Sequence, residues 1–287
     1  MSINIEIDPK TCIKCRRCIR VCPSGIFFQD GAEKEVNVRN GHYCISCGHC
    51  VAVCPSSSVT HSDFPSSKVH KTDISALSSP ASLMTLIRAR RSNRGFNGKP
   101  VPSDLLDAIL EAAHRAPTAS NRQQVAFTLI TDPARLRQVV DYTMASFESG
   151  VRSLKNPILR PILKRLMPDN YKMLPRMERL LKEHAKGNDP ILRDAKALIL
   201  IHTPTGNRFG RDDSNLAYQN GSLMAESLGV AQFYTGYVCT AIRRDKKNRL
   251  AAMLGIDGEI HAGMALGMPD FTYPNYIDRK DIDVTRL

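Results

Sequence analysis

Eight of the nine cysteines fall in two matched runs, "CIKCRRCIRVCP" at 12–23 and "CISCGHCVAVCP" at 44–55. Each run reads C-x2-C-x2-C-x3-C-P, and the second repeats the first at an offset of 32 residues. Thiolates at this density ligate metal. No apolar run follows a basic start, so no signal peptide is expected, and disulfides are the weaker reading. Three closely spaced thiolates can converge on one multinuclear centre while the fourth points away. The proline after it turns the chain outward and cannot continue a helix. Zinc competes, since a C-x2-C pair alone would suit it. The further matched cysteines and the two Cys-Pro dipeptides do not. His42 and His49 lie beside ligands and read as spacers, because eight cysteines already complete two sites. Cys239 stands alone and reads as a buried small hydrophobe.

The doubled spacing resembles that of bacterial two-cluster ferredoxins, over roughly residues 3–62. The resemblance implies two 4Fe–4S clusters with crossed ligands. Cys12, Cys15, Cys18 and Cys54 would hold one; Cys44, Cys47, Cys50 and Cys22 would hold the other. Arg16 and Arg17 fall between ligands. Exposed spacers are the plainer reading, and raising a cluster potential or receiving an acidic donor protein is the sharper one.

Two other stretches carry polar chemistry. "RRSNRGF" at 90–96 places Arg90, Arg91, Ser92 and Arg94 together at a helix end. Guanidinium groups bind phosphate bidentately, and a serine hydroxyl adds a hydrogen bond; an exposed basic helix end is the alternative. "APTASNRQQ" at 116–124 offers Asn121 and Gln123, which can donate to and accept from the polar edge of a planar ligand, or simply form a turn.

These residues need elements to hold them. "INIEI" at 3–7 and Val36–Val38 alternate as short strands, and a small hairpin would flank the cysteines. Residues 66–80, rich in Ser, Pro and Lys, read as a linker between a domain at 1–65 and a second at 81–287. In the second, "SLMTLIRARRS" sets Leu83, Leu86 and Ile87 on one helical face. Ser103 is placed to cap the helix "DLLDAILEAAHRA". "VAFTLI", "ALILI", "FYTGYV" and "GMALGM" read as strands, and residues 214–229 as a helix ending at Gly229. Mixed helices and strands in this order predict an α+β fold.

"RRSNRGF", "APTASNRQQ" and "SLGVAQFYTGY", in this order, together with "ALGMP" at 265–269 followed by Arg279 and Lys280, resemble the FMN-dependent nitroreductase family over roughly 82–287. The resemblance implies that Arg90, Arg91, Ser92 and Arg94 hold the FMN phosphate, with Arg279 or Lys280 closing on it. It implies that Asn121 touches the ring, with Gln123 beside it among the cofactor-binding candidates, and that Pro117, Thr118 and Ala119 come from the neighbouring subunit's side. "YTG", Tyr234–Gly236, matches the stretch whose backbone amide faces flavin N5, and glycine there permits close approach. Thr235 stands where some relatives carry an acidic residue. A homodimer with FMN at the interface is implied. The reaction implied passes single electrons from the clusters to FMN, and then hydride from N5 to a small acceptor of nitroaromatic, quinone or enone type. Flavin N5 does the chemistry, so no side chain is expected to act as nucleophile or general acid. External ferredoxin or NAD(P)H would be the donor. Two alternatives remain: an NAD(P)H-dependent nitroreductase whose clusters pass electrons out to a carrier, and a non-enzymatic electron-transfer or flavin-storage module.

Over its 287 residues the chain carries a formal net charge of +12. The positive charge is scattered and there is no Trp, which argues against nucleic acid. The apolar strings are too short to cross a bilayer, so a cytoplasmic protein without stable membrane insertion is expected. Residues 151–190 hold ten basic and four acidic residues, a net +6, with prolines at 157, 161, 168 and 175 expected to cut the segment into short helices. Three readings stay open for this basic insert: a helical excursion packed on its own domain, a lid over the flavin pocket, and weak membrane-surface contact.

Overall fold

The structure is a computed structural model and describes residues 3–287. One unit comprises Met1–Ser78 with Ala119–Arg122, the other Ser79–Thr118 with Gln123–Leu287.

The first unit contains β1 (Ile5–Ile7), α1 (Arg17–Val21), β2 (Phe27–Phe28), β3 (Asn37–Val38), α2 (His49–Ala52) and β4 (Val59–His61). Strand β1 pairs antiparallel with β4, Ile5 opposite His61 and Ile7 opposite Val59. Strand β2 pairs antiparallel with β3, as the alternating residues at 36–38 suggested. Strands this short have little stability of their own. A small core of Ile5, Ile26, Phe27, Val36 and Val59 holds them, joined by Cys18 and Cys50.

The duplicated sequence becomes duplicated backbone. Left-handed φ recurs at the same 32-residue offset: Lys14 and Ser46, Arg16 and Gly48, Gly25 and Ser57. Each short helix therefore starts from a left-handed residue, Arg16 at φ 62° and Gly48 at φ 71°. Only glycine adopts this conformation freely; other residues lose about 1–2 kcal/mol. At Gly48 an added Cβ would also press on the Phe64 ring at 3.3 Å. Gly48→Ala is expected to destabilise this unit by about 1–2 kcal/mol, and Arg16→Gly to stabilise it by a similar amount. Denaturant unfolding of the cluster-loaded protein measures both.

In the second unit a four-stranded antiparallel sheet has the order β5 (Ala126–Ile130), β6 (Ala197–Thr203), β8 (Glu259–Gly267), β7 (Ala231–Tyr234). Helices cover both faces: α3 (Pro80–Ala89), α4 (Ser103–His114), α5 (Pro133–Lys155), α6 (Arg160–Leu166), α7 (Pro168–Ala185), α8 (Gly210–Ser227), α9 (Gly236–Arg244) and α10 (Arg249–Leu254). Central strand β6 shows the reason. Leu198 and Leu200 pack into a core with Val139, Phe147 and Val238 from α5 and α9. Ala197, Ile199 and Ile201 pack into a second core with Leu106, Ile109 and Ala217 from α4 and α8. A strand buried on both faces has no polar side, which is why "ALILI" reads as a continuous apolar run.

Several local expectations differ from this structure. Ser103 is the first residue of α4; Pro102 occupies the cap and no side chain caps the helix. "FYTGYV" is not one strand: β7 ends at Tyr234, and from Gly236 the chain is helix α9. Leu83 and Ile87 do share a face of α3, but that face is exposed, as is Met84. The insert's prolines break it less than expected. Pro161 and Pro168 sit in the first turns of α6 and α7, where a missing N–H costs nothing. Pro175 lies inside α7, which runs unbroken through it over 18 residues in all. The insert also divides in two. Leu180 of α7 is buried in the core, whereas Ile158, Ile162 and Leu166 around α6 are 80%, 59% and 72% exposed. The packed-excursion reading therefore holds for α7 and fails for α6. Among the described residues no helix is long and apolar enough to cross a membrane.

At the far end of β6 the ladder shifts register between Ile201 and His202. His202 Nε2 lies 3.1 Å from the Thr128 hydroxyl, and His261 Nε2 lies 2.9 Å from that of Thr203. Burial holds both imidazoles below their ordinary value of 6.5. His261 adds to this at His202, while at His261 Glu259 opposes it and Arg211 adds to it. Below about 6.5 the unfolded chain thus binds more protons than the folded one. Stability is complete above that value and falls as pH drops through it. His202→Gln should weaken this acid sensitivity, read as a smaller loss of melting temperature between neutral and mildly acidic buffer.

Candidate functional site

In the first unit one cavity is lined by Cys22, Cys44, Cys47 and Cys50, with Phe27, Ile26 and His61 closing it. The sequence separates Cys22 from the other three by 22 residues or more. The structure brings them together because α1 and α2 pack on each other. Burial raises the Cys18 thiol, and Cys12 and Cys15 lie near enough to add to the rise. Among the described residues no three His, Cys, Asp or Glu side chains could hold a single metal ion. A four-iron cube seats its thiolates at separate corners, a wider arrangement than one ion requires.

The donor chemistry suits such cubes. Cys44 Sγ accepts from the Ser46 amide at 3.4 Å, and Cys54 Sγ from the Ser58 amide at 3.3 Å. Amide donors aimed at sulfur favour an anionic cluster. Burial pushes the Cys50 thiol up to about 11. At Cys54 burial also raises the thiol, but the Ser56 hydroxyl and the Ser58, Ser56 and Val59 amides outweigh it, so the net shift is downward. Ligand thiols must lose their protons to metal on loading.

In the second unit a cavity of about 500 Å3 is lined by Arg94, Arg176, Arg193, Phe233, Tyr234, Thr235, Gly236 and Tyr237, with Pro190, Ile191 and Thr240. The strand-to-helix switch at Tyr234–Gly236 creates this cavity, because β7 hands the chain to the first turn of α9 at its wall. A Cβ on Gly236 would meet nothing closer than the Tyr234 ring at 3.9 Å, so the backbone there is open to a ligand. Arg94 lies 5.1 Å from the centre of the Phe233 ring, and Arg176 lies 5.4 Å from that of Tyr237. Guanidinium groups beside aromatic faces suit a planar ligand carrying a phosphate. The cavity's size is ordinary for a small-molecule site, and these residues fit FMN.

Of the residues expected at the flavin, Arg94, Tyr234, Thr235 and Gly236 line this cavity. Arg90, Arg91 and Ser92 precede Arg94 on the same segment. Arg91 donates to the carbonyl oxygens of Arg88 and Arg90, and Arg94 donates to that of Ser92. Thr118 and Gln123 are joined by a 3.0 Å bond from the Gln123 amide to the Thr118 hydroxyl, and they line a separate small space. Pro117 is exposed. Ala119 and Asn121 group with the first unit, where Asn121 Nδ2 donates to the carbonyl oxygens of Ser46 at 2.8 Å and Ile45 at 3.3 Å. Arg279 and Lys280 are exposed in the C-terminal segment. Cys239 is buried, as expected. Sequence reasoning missed Arg176, Arg193, Phe233, Tyr237 and His61. Arg176 was one of ten basic residues in the insert, and nothing in its spacing marks it out.

The family model for the nitroreductase family matches residues 87–268. The chain belongs to the nitroreductase family. A second family model, that of a 4Fe-4S dicluster domain, matches residues 4–55. Among curated proteins the chain is 26% identical over 186 residues to an NADPH-flavin oxidoreductase of Vibrio harveyi. That match covers 64% of this chain, and the chain spans 64% of that relative's length. A nitroreductase with bound FMN from Desulfitobacterium hafniense superposes with a TM-score of 0.54 at 21% identity, covering 71% of this chain and 97% of that one. Another with bound FMN, from Bacteroides fragilis, gives 0.52 at 20% identity, covering 71% and 98%. At these identities the two structures speak to the fold: the second unit of this nitroreductase-family chain has the nitroreductase fold. The chain thus joins a nitroreductase-family domain to a 4Fe-4S dicluster domain.

Proposed function

We propose that this protein passes electrons from two 4Fe–4S clusters to FMN and on to a small organic acceptor of nitroaromatic, quinone or enone type. The observation that carries the reading is the pairing, on one chain, of a thiol-lined cavity with a second cavity walled by arginines and aromatic rings. In this reading residues 1–65 are the electron port, 66–80 the connector and 81–287 the flavin domain. FMN, when bound, supplies the conversion between single electrons and a two-electron transfer. The chain's own residues do the rest. Arg94, Arg176 and Arg193 offer positive charge to a phosphate, Phe233 and Tyr237 offer apolar faces, and Gly236 offers a backbone amide at the start of α9, while the Thr235 amide is held by the Gly263 carbonyl oxygen at 2.9 Å.

The assembly we infer is a cytoplasmic homodimer. Leu83, Met84 and Ile87 on α3 and Phe271, Tyr273, Tyr276 and Ile277 in the C-terminal segment are exposed apolar side chains that a second copy could cover. In this dimer Pro117, Thr118 and Ala119 serve the neighbouring subunit's flavin.

The test is anaerobic. Reduced ferredoxin should bleach the cluster absorbance and then the flavin absorbance, and an added nitroaromatic or quinone should restore both. The Vibrio relative is named for NADPH, and that supports a second reading in which NADPH feeds the flavin. Rapid flavin reduction by NADPH, with none by ferredoxin, would establish that reading and overturn the first.

A further inference from the structure

The two cluster sites are not equivalent, and His61 is the reason. Its ring is buried, 5% exposed, and lies 4.8 Å from the Phe64 ring. The Asp63 backbone N–H donates to His61 Nδ1 at 3.1 Å. A ring nitrogen that accepts carries no proton, so the neutral imidazole holds its proton on Nε2. Nε2 lies 3.4 Å from Cys44 Sγ. The imidazole therefore donates N–H to a thiolate of the set Cys22, Cys44, Cys47 and Cys50, and it lines the same cavity.

The internal duplication supplies a control. Thirty-two residues before His61 stands Gln29. Its side-chain amide is turned away, donating to the carbonyl oxygens of Ala32 at 3.0 Å and Lys34 at 2.6 Å. The other set receives hydroxyl and backbone donors, among them on Cys54 the Ser58 amide at 3.3 Å and a 3.7 Å contact with the Ser56 hydroxyl, but no imidazole among the described residues. The half of the duplication that carries Gln29 has no counterpart to the imidazole among the described residues.

We propose that His61 is a positioning residue that raises the reduction potential of the cluster on Cys22, Cys44, Cys47 and Cys50 above that of its twin. This rests on the two-cluster reading. Reduction adds one electron to a cluster and moves no proton or bond. A donor aimed at a ligand sulfur stabilises the more negative reduced state and raises the potential. Electrons entering the dicluster domain then settle on the His61 cluster, which gives the domain a direction.

The experiment is an EPR-monitored anaerobic reductive titration of the full, cluster-loaded chain, wild type against His61→Phe, with iron and sulfide counted in each. The expected result is two potentials in the wild type. In His61→Phe the higher falls by about 59 mV, a tenfold loss in its one-electron equilibrium constant, and the other stays. Full iron with both potentials unmoved would overturn the proposal. Should His61→Phe fail to take up iron, the wild type decides alone: protein labelled with 15N-histidine should show a nitrogen coupling to the spin of one reduced cluster, and its absence overturns the proposal. A wild type without cluster iron would instead overturn the two-cluster reading.

Discussion

Cys22→Ser and Cys15→Ser each lower the iron content from about eight to about four per chain, and the double variant loses nearly all of it. Crossed ligation produces this pattern. In the proposed ligation Cys15 serves with Cys12, Cys18 and Cys54, and the structure places Cys22 in the cavity of Cys44, Cys47 and Cys50. If Cys22 instead served its own run, both substitutions would strike one cluster, and the double variant would keep about four irons. Iron and acid-labile sulfide analysis of anaerobically purified protein separates the two cases. The loss should extend beyond the metal. The first unit has strands of two or three residues and a core of seven buried side chains, two of them cysteines of the proposed cluster ligands. A fold that small depends on its metal for stability, so the double variant should unfold in its first 78 residues, visible as rapid proteolysis there.

Arg94→Ala weakens FMN binding about tenfold to a hundredfold, the loss expected when charge-assisted hydrogen bonds worth about 1.5–3 kcal/mol are removed. Arg94 lines the second unit's cavity beside Phe233. Arg94→Lys should fall between, because an ammonium keeps the charge and loses the planar fork. Arg137→Ala, which removes only an exposed helix pair with Asp141, should leave FMN binding unchanged. Titrating flavin fluorescence against the apo form of each variant measures all three. Equal affinity in Arg94→Ala and wild type would move the phosphate elsewhere, with Arg176 and Arg193 the nearest alternatives on the same wall.

Much of this was legible from residue types and spacing. The cysteine runs announced a dicluster domain because ligand spacing is a local property, written in four residues at a time. The strands "ALILI" and "GMALGM" were legible because each is a run too apolar to face water, whereas "VAFTLI" became the edge strand β5, with Ala126 and Leu129 exposed and only Ile130 of the strand buried. The switch at "FYTGYV" was not. Thr, Gly and Tyr are acceptable in a strand, and only the α9 packing through Val238 and Ala241 makes helix the better state. The same failure hid Pro175: its missing N–H was weighed as a break, yet the buried face of α7 holds the helix through it. The exposed face of α3 shows the converse error. Helical periodicity says which residues share a side and nothing about what that side meets.

The sequence by itself determined which chemistry this chain carries: eight thiols in two matched runs, an arginine cluster at a helix end, and the order of elements belonging to the nitroreductase family. Tertiary structure alone decided which distant groups meet. Packing of α1 on α2 brings Cys22 to Cys44, Cys47 and Cys50. The turn from β7 into α9 opens a cavity that Arg176 and Arg193 reach from far along the chain. Pairing of β4 with β1, followed by the amide of Asp63, sets one proton on His61 and aims it at Cys44. Contacts such as these depend on the direction of whole elements, which no local pattern encodes, and so they appear only once the chain has packed.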